Sequence, residues 1–410
     1  MVNLFSVRFG TVFALIAQLI AFGADSAQLV PRTQPIPASL FGMHIHRIGS
    51  GTPWPVVPMA GWRLWDAHVT WLDLEPRKGQ WRFDTLDKYL SAAEGHHAEV
   101  LLVLGLSPRW ASARPDEQSV YGPGAAAEPN DLEDWRAYVT AVVNHCGARV
   151  RAYEIWNEPN LKPFWSGSTD RLVILTREAS QIIRSINPQA IIVSPSATAG
   201  YGTKWLAEFL SKGGGQYVDV IGYHFYVNPE PPEAMLPIIQ QIRQIMTANG
   251  ADTKPLWDTE VGWSKPKPFL SEELAAAYLA RSYILNWAAG VQRLYWYAWD
   301  NHTWVALQTV EDDNQTLKPA GQAYGVIQKW LIGSRMDWCN QDTDHTWKCQ
   351  LNRNGSPQWI IWNPDETKPF AIPTSWHVNY ITALLGQPLL FSGSTVETGP
   401  TPSILSQSAP

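Results

Sequence analysis

Two acidic residues share a similar setting in this sequence, and their neighbours indicate chemistry. Glu158 follows the apolar and aromatic run 152–156, and Glu260 ends a similar run that begins at Leu256. Each carboxylate stands where a predicted buried strand stops, which suits reactivity better than stability. Cleavage of a glycosidic bond needs such a pair, because one acid protonates the leaving oxygen and the other stabilises the oxocarbenium-like carbon. We predict Glu158 as the protonated acid and base, and Glu260 as the ionised nucleophile.

The elements that must position these acids alternate between strand and helix along most of the chain. The predicted strands are 41–46, 61–66, 99–106, 153–158, 190–196, 218–226, 255–263 and 292–299. Most of them are followed by an amphipathic helical run, which predicts parallel βαβ units, and eight such units close a barrel. We therefore predict an α/β fold with a (β/α)8 TIM barrel over residues 28–333. Its active site would lie at the C-terminal ends of the strands.

The two ends of the chain differ from this alternating region. Residues 1–27 contain a basic residue, an apolar stretch and then small residues, which predicts a secretory signal peptide and a secreted or periplasmic protein. Short strand-like runs separated by turn residues predict a small antiparallel β-sandwich domain over 334–400. Residues 401–410 are predicted to be a flexible tail. Cys339 and Cys349 are compatible with a disulfide bond there, although spacing alone cannot establish one.

The composition excludes several classes of partner. With 31 basic and 37 acidic residues, the chain lacks the basic balance of proteins that bind nucleic acid or anionic lipid. After the signal segment, no run approaches the roughly 20 apolar residues of a membrane span. We expect a monomer without a cofactor whose partner is an oligo- or polysaccharide.

Tryptophan is unusually frequent, with 22 residues in the chain. Flat aromatic faces are a usual platform for sugar rings, and several tryptophans fall at predicted strand ends. These tryptophans favour a polymer that occupies consecutive subsites: Trp65, Trp110, Trp156, Trp165, Trp263, Trp299 and Trp304.

Several segments resemble those of known enzymes. Residues 156–160, Trp-Asn-Glu-Pro-Asn, and residues 259–263, Thr-Glu-Val-Gly-Trp, are similar to the fourth- and seventh-strand signatures of the retaining (β/α)8 glycoside hydrolases of clan A. More narrowly, the chain resembles glycoside hydrolase family 39 over roughly 40–332. The segments that carry this resemblance are 41–42, 61–66, 71–79, 108–111 and 153–160. That family includes β-xylosidases, α-L-iduronidases and bacterial endo-glycosidases acting on exopolysaccharide, and a β-sandwich often accompanies its barrel.

The resemblance implies a retaining double displacement, with Glu158 as acid and base and Glu260 as nucleophile. It implies that Asn157 contacts the sugar 2-hydroxyl, a bond that tightens in the transition state. It also implies that Arg63 from strand two and Tyr226 from strand six keep Glu260 ionised and oriented.

Further candidates for substrate binding surround these residues. The resemblance implies that Trp299, at the end of strand eight, forms the floor of the sugar site. His224 lies on the same strand face as Tyr226 by alternation, so we expect it in the same pocket. The remaining candidates are His46, Trp65 and Trp110.

Two other functions fit parts of the pattern. His44 and His46 form a His-x-His at the end of strand one, which is how metal-dependent amidohydrolases with this barrel hold their first metal. His224 and Asp300 fit two more ligand positions, but the predicted fifth strand contains no histidine, so we predict no metal site. A catalytically silent barrel that binds glycan is the other alternative, and the presence of both acids argues against it.

Overall fold

The structure is a computed structural model that describes residue 29 and residues 31–408. The predicted signal segment, residues 1–27, lies outside the described residues. Within the described part of the chain, no helix combines the length and the apolar character needed to cross a membrane.

Nine parallel strand segments curl into a barrel. Strands β1 to β9 are Phe41–His44, Gly61–Leu64, Glu99–Leu104, Ala152–Ile155, Ile191–Val193, Ala197–Thr198, Ile221–His224, Leu256–Val261 and Arg293–Trp296. β5 and β6 are two halves of one barrel strand, interrupted at Pro195, which has no amide hydrogen to donate to a neighbour. β1 pairs with β9, and a parallel bridge from Val193 to Val220 closes the ring. The predicted (β/α)8 TIM barrel is confirmed.

Helices cover the outside of the barrel. Helices α1 to α8 are Trp71–Leu74, Asp84–Gly95, Leu132–Cys146, Thr169–Ile186, Ala199–Ser211, Met235–Ala248, Glu272–Ala288 and Pro319–Leu331. The side chains of Asp131, Ser168 and Ser271 accept hydrogen bonds from backbone amides in the first turns of α3, α4 and α7. These caps satisfy amides that have no partner within the helix, so they fix where each helix begins.

The interior of the barrel is apolar in one layer and polar in the next. Leu101, Val193, Val220, Trp257 and Tyr295 belong to an apolar cluster inside the ring. The ring of Tyr295 fills so much of this space that a Cβ at Gly42 would lie 2.4 Å from its Cδ1 atom. Close packing therefore seals this layer.

A second, antiparallel region follows the barrel. Its six-stranded sheet contains β10 (Arg335–Gln341), β11 (Trp347–Arg353), β12 (Ser356–Trp362), β14 (Tyr380–Ala383), β15 (Leu389–Leu390) and β17 (Ser403–Ser406). A separate pair is formed by β13 (Lys368–Ala371) and β16 (Thr395–Thr398). One face of the six-stranded sheet packs on the barrel core, while the other packs against Phe370 and Val396 of the pair. The predicted antiparallel C-terminal domain is therefore confirmed.

Two details of this domain concern the sequence predictions. Cys339 and Cys349 face each other across β10 and β11 and form a disulfide bond. The predicted flexible tail is wrong for β17, which pairs with both β12 and β14. Because Ile404 and Leu405 are buried in the sheet, this segment is held as firmly as its neighbours.

Helix α7 joins the barrel to the C-terminal domain. Every residue from Ala275 to Ala288 in α7 is buried, because the helix packs between the barrel and the six-stranded sheet. Glu233 accepts a 2.8 Å hydrogen bond from Trp362 Nε1 and pairs with the buried Arg281 at 3.4 Å. The two regions therefore share one continuous apolar core.

Candidate active site

A cavity of about 570 Å³ opens at the C-terminal ends of the barrel strands. Its lining residues come from the ends of several different strands and from the loops that follow them. They are Trp65, Asp66, Val120, Tyr121, Asn157, Glu158, Leu161, Phe164, Thr198, Ala199, Tyr201, Tyr226, Asn228, Glu260, Tyr297 and Trp304. Both acids identified from the sequence therefore face the same space.

Glu260 lies inside β8 and is held at both oxygens. Its Oε2 accepts a 2.7 Å hydrogen bond from Arg63 Nη1, and its Oε1 accepts a 2.9 Å bond from the Tyr226 hydroxyl. Arg63 comes from β2 and Tyr226 follows β7, so three elements fix the orientation of one carboxylate. Arg63 and Tyr226 thus lie where the sequence analysis expected them.

Arg63 is fully buried and serves three partners at once. Its Nε and Nη2 donate to the two oxygens of Glu154, at 2.6 and 3.0 Å, while Nη2 also donates to Asn157 Oδ1 at 2.7 Å. The carboxylate of Glu154 balances the guanidinium charge in a place without water. Because Asn157 Oδ1 is occupied, its amide nitrogen is the atom left to donate toward the cavity.

Glu158 follows β4 and contacts a different partner. Its Oε1 lies 3.0 Å from His224 Nδ1, and its backbone nitrogen donates to Ser196 O at 2.9 Å. His224 is fully buried at the end of β7 and is absent from the cavity lining described above. The histidine expected to line the sugar pocket therefore lies behind it, where it orients Glu158.

The two acids are close together. A carboxylate oxygen of Glu158, a carboxylate oxygen of Glu260 and a ring nitrogen of His224 all lie within 4.8 Å of one another. Retaining glycosidases have carboxyl groups about 5 Å apart, whereas inverting enzymes leave about 6.5–9.5 Å for a water molecule. The approach of one oxygen from each acid to within 4.8 Å is compatible with direct attack by a carboxylate.

Burial changes the acidity of Glu260. It raises the pKa of the Glu260 carboxyl to about 7, although the neighbouring His224 and Arg63 lower this pKa, and the nearby Glu158 raises it further. The sequence analysis expected Glu260 to be ionised, which at this pKa holds only above about pH 7.

Three predicted substrate contacts do not line the cavity. Trp299 is buried, and its Nε1 donates to Asn314 O at 3.1 Å. Trp110 donates from its Nε1 to Glu75 O at 2.9 Å and packs edge-on against Trp71. His46 lies behind Tyr297, with ring centroids 5.2 Å apart. Each of these three side chains is engaged by the protein itself and lies outside the lining of the cavity.

The tryptophans that favoured a polymer are also mostly engaged elsewhere. Among the seven, only Trp65 and Trp304 line the cavity. Trp156, Trp165 and Trp263 are buried against other aromatic rings. Their role is therefore packing rather than the construction of successive sugar subsites.

Several residues of the site were missed by the sequence analysis. The ion-pair partner Glu154 carried a signal, because an acid inside a buried strand requires a cation nearby. Asp66 and Tyr297 follow strand ends, where alternation no longer predicts which way a side chain points. Tyr121 lies in a loop and gave none, whereas Trp304, which also lines the cavity, was among the tryptophans that favoured a polymer.

The metal alternative required His44 and His46 to converge, which they do not. His44 Nε2 lies 3.1 Å from Thr259 O, and His46 Nδ1 lies 3.6 Å from Asp300 Oδ1. Asp300 accepts hydrogen bonds from the His46 amide and the Thr52 hydroxyl, at 2.9 and 2.6 Å. Among the described residues, the one group of three or more possible ligands that converges is that of the two acids and His224.

Comparison with solved structures identifies the fold. The chain is similar to a family 39 β-xylosidase from Caulobacter crescentus, with 17% identity and a TM-score of 0.67 over 91% of this chain and 97% of that one. A glucosidase from Croceicoccus marinus gives 15% identity and a TM-score of 0.65, covering 92% of this chain and 97% of that chain.

Sequence relatives and a family model address the family of the chain in addition to its fold. A β-xylosidase from Geobacillus stearothermophilus is 26% identical over 229 residues, which are 49% of this chain and 45% of that protein. The chain thus spans less than half the length of this curated relative. The model of the Glycosyl hydrolases family 39 matches residues 60–297, which are more than half of the chain and contain barrel strands β2 to β9. The chain therefore belongs to glycoside hydrolase family 39.

Proposed function

We propose that this protein is a retaining glycoside hydrolase that cleaves β-linked glycan, with Glu158 as acid and base and Glu260 as nucleophile. The observation that carries the proposal is the approach of the two carboxylates to within 4.8 Å. That separation suits the formation of a covalent glycosyl-enzyme. Family membership and the names of the relatives support the same class of reaction.

The first step is attack by Glu260 on the anomeric carbon. A carbon–oxygen bond forms to the Glu260 carboxylate while the bond to the leaving oxygen breaks, and Glu158 gives its proton to that oxygen. Arg63 and Tyr226 hold the attacking oxygens in place, since both donate to Glu260. Asn157 donates from its amide nitrogen to the 2-hydroxyl of the sugar.

The second step is hydrolysis of this ester. Glu158, now ionised, takes a proton from water as the water oxygen attacks the anomeric carbon, and Glu260 leaves as a carboxylate. The contact with His224 keeps Glu158 directed at the same side of the sugar in both steps. Two inversions at one carbon give net retention.

We propose a polysaccharide or exopolysaccharide as the substrate. The rim of the cavity is exposed at Tyr201, Val120 and Trp304, with 62%, 63% and 46% of each residue accessible. Exposed aromatic and apolar groups beside an open cavity suit sugar units beyond the one that is cleaved. The β-xylosidases among the relatives make β-linked xylose the first sugar to test.

The experiment follows the product anomer by NMR during hydrolysis of an aryl β-D-xyloside and of a panel of plant and bacterial polysaccharides. We expect the β-anomer to appear first, before mutarotation. First appearance of the α-anomer would contradict the double displacement. Release of only single sugars from chain ends would contradict action within a polymer, and absence of any cleavage would favour a silent glycan-binding barrel.

We also propose that the protein is exported as a monomer after removal of residues 1–27, with residues 28–333 as the catalytic barrel. The disulfide between Cys339 and Cys349 supports an oxidising compartment. N-terminal sequencing of the secreted protein should begin near residue 28, and light scattering should give the mass of one chain. A cytoplasmic product that begins at Met1 would contradict export.

A further inference from the structure

Asp66 is a carboxylate in the cavity that the proposed reaction does not use. It lies two residues beyond β2 and adopts φ +54, a backbone conformation that non-glycine residues rarely occupy. Such a conformation is held only where surrounding contacts impose it, and it is commonest at binding and catalytic sites. This conformation and the position of Asp66 beside Glu158 and Glu260 therefore indicate a role in binding.

Two tyrosines from other loops fix this carboxylate. The hydroxyl of Tyr121 donates to Asp66 Oδ1 at 2.5 Å, and the hydroxyl of Tyr297 donates to Oδ2 at 2.6 Å. Burial and the charge of Asp66 raise the pKa of both phenols, so both stay protonated and donate. Each carboxylate oxygen keeps acceptor capacity after one bond, because an ionised Asp offers about four lone-pair sites.

The charged residues that line the cavity are all acidic. Three of its lining residues are acidic, namely Asp66, Glu158 and Glu260, and none of the lining residues in the described part of the chain is basic. The nearby Arg63 is already bound to Glu154, Asn157 and Glu260. A sugar carboxylate would find repulsion here and no cationic partner, whereas sugar hydroxyls would find a charged acceptor.

We propose that Asp66 accepts a hydrogen bond from a ring hydroxyl of the sugar being cleaved, and that the cavity thereby selects neutral sugars over uronic acids. This inference rests on the proposed glycosidase function and adds the class of sugar to it. Asp66 is a specificity-determining residue in this scheme, and the bond breaking stays with Glu158 and Glu260.

The test uses a neutral aryl β-glycoside that the wild-type protein hydrolyses, with analogues that lack one ring hydroxyl each. One deoxy analogue should lose roughly 10- to 100-fold in kcat/KM with the wild type, the size of one hydrogen bond to a charged group. In Asp66→Asn this loss should shrink to about threefold or less. The control Asp116→Asn removes an equal charge from an 80% exposed side chain outside the cavity, and it should keep the wild-type pattern.

Three outcomes separate the inference from its alternatives. A uniform loss across all analogues in Asp66→Asn would mean that Asp66 only supports the two tyrosines, and would overturn it. If Asp66→Asn does not fold, Tyr121→Phe serves instead, because it removes one hydrogen bond to Asp66 and keeps the charge. It should weaken the same selectivity by a smaller factor. Unchanged selectivity in this variant would overturn the inference. Wild-type hydrolysis of an aryl uronide as fast as the neutral glycoside would also overturn it.

Failure of the proposed function gives a different result. A wild-type protein that cleaves no glycoside at all would overturn the glycosidase proposal and this inference together. Cleavage with an unaltered deoxy pattern in Asp66→Asn overturns the inference alone.

Discussion

The two acids of the site are held in opposite ways. Glu260 lies inside a strand, and both of its oxygens accept hydrogen bonds from other elements of the barrel. Glu158 lies beyond the end of its strand, and within the described residues His224 is the one side chain that bonds to its carboxylate. The proposed nucleophile is therefore fixed before substrate arrives, whereas the proposed proton carrier keeps an oxygen free for the leaving group. Nucleophilic attack depends on the position of Glu260, whereas Glu158 must donate a proton in the first step and accept one in the second.

The largest effect should come from removing the fixed acid. Glu260→Ala should lower kcat by about 10⁴- to 10⁶-fold, because no covalent intermediate can form. Substrate binding, measured by calorimetry with an uncleaved oligosaccharide, should persist. Glu208→Ala, an exposed site on α5, serves as the control and should retain full activity. Comparable turnover in both variants would place the nucleophile elsewhere.

Removing the proton carrier should have a smaller effect that depends on the substrate. Glu158→Gln should lower kcat/KM by about 10²- to 10⁴-fold on glycan, the usual contribution of general acid–base catalysis. With an activated aryl glycoside, whose leaving group needs no proton, the loss in the first step should be much smaller. The test is to measure kcat/KM on both substrates with the same preparation of Glu158→Gln. An equal loss on both would show that Glu158 does not act as the acid.

Loosening the support of Glu260 should have an intermediate effect. Arg63→Lys keeps the charge but cannot bond Glu154, Asn157 and Glu260 together, since an ammonium lacks the planar fork of a guanidinium. We expect kcat to fall about 100-fold by misplacement of Glu260, with a smaller change in KM. The control Arg109→Lys alters an exposed ion pair with Asp116 and should leave kcat unchanged. Unchanged kcat in Arg63→Lys would mean that Glu260 does not need this support.

The pH dependence should give the smallest and most graded effect. With the pKa of Glu260 raised by burial to about 7, kcat/KM for an activated aryl glycoside should fall about tenfold for each unit below pH 7, because protonated Glu260 is no nucleophile. The folded protein then keeps a proton that the unfolded chain releases from its ordinary pKa of 4.5, so this group's stabilising contribution is lost as pH rises toward 7. Thermal unfolding of Glu260→Gln should lack that dependence. A flat kcat/KM between pH 5 and 7 would contradict the shift.

Sequence patterns predicted the residues that sit in regular strands. Glu260 was predicted from its place at the end of a buried run, by the barrel rule, whereas Arg63 was predicted from the family resemblance. The same reasoning could have found Glu154, since it is four residues before Glu158 in a strand buried on both faces. A buried acid in such a place needs a cation, and the resemblance already assigned Arg63 to the same site.

Residues beyond the strand ends could not be predicted in this way. After β9 the chain leaves the strand, alternation stops, and Tyr297 and Trp304 reach the cavity while Trp299 turns into the core. Tyr121 lies in the long connection between β3 and α3, whose path depends on contacts distant in sequence. Asp66 lies beyond the end of β2, and the direction of its side chain follows from a positive φ that the sequence does not reveal.

Helix α7 has no side that faces water, because the barrel covers one flank and the C-terminal sheet the other. Most outer helices of such a barrel meet solvent along a polar stripe, and this one cannot. Residue 333 separates the parallel strands from the antiparallel strands along the chain. A truncation there would nevertheless cut through one continuous hydrophobic core. The β-rich region and the barrel share this core, so we expect them to unfold together in a single cooperative transition.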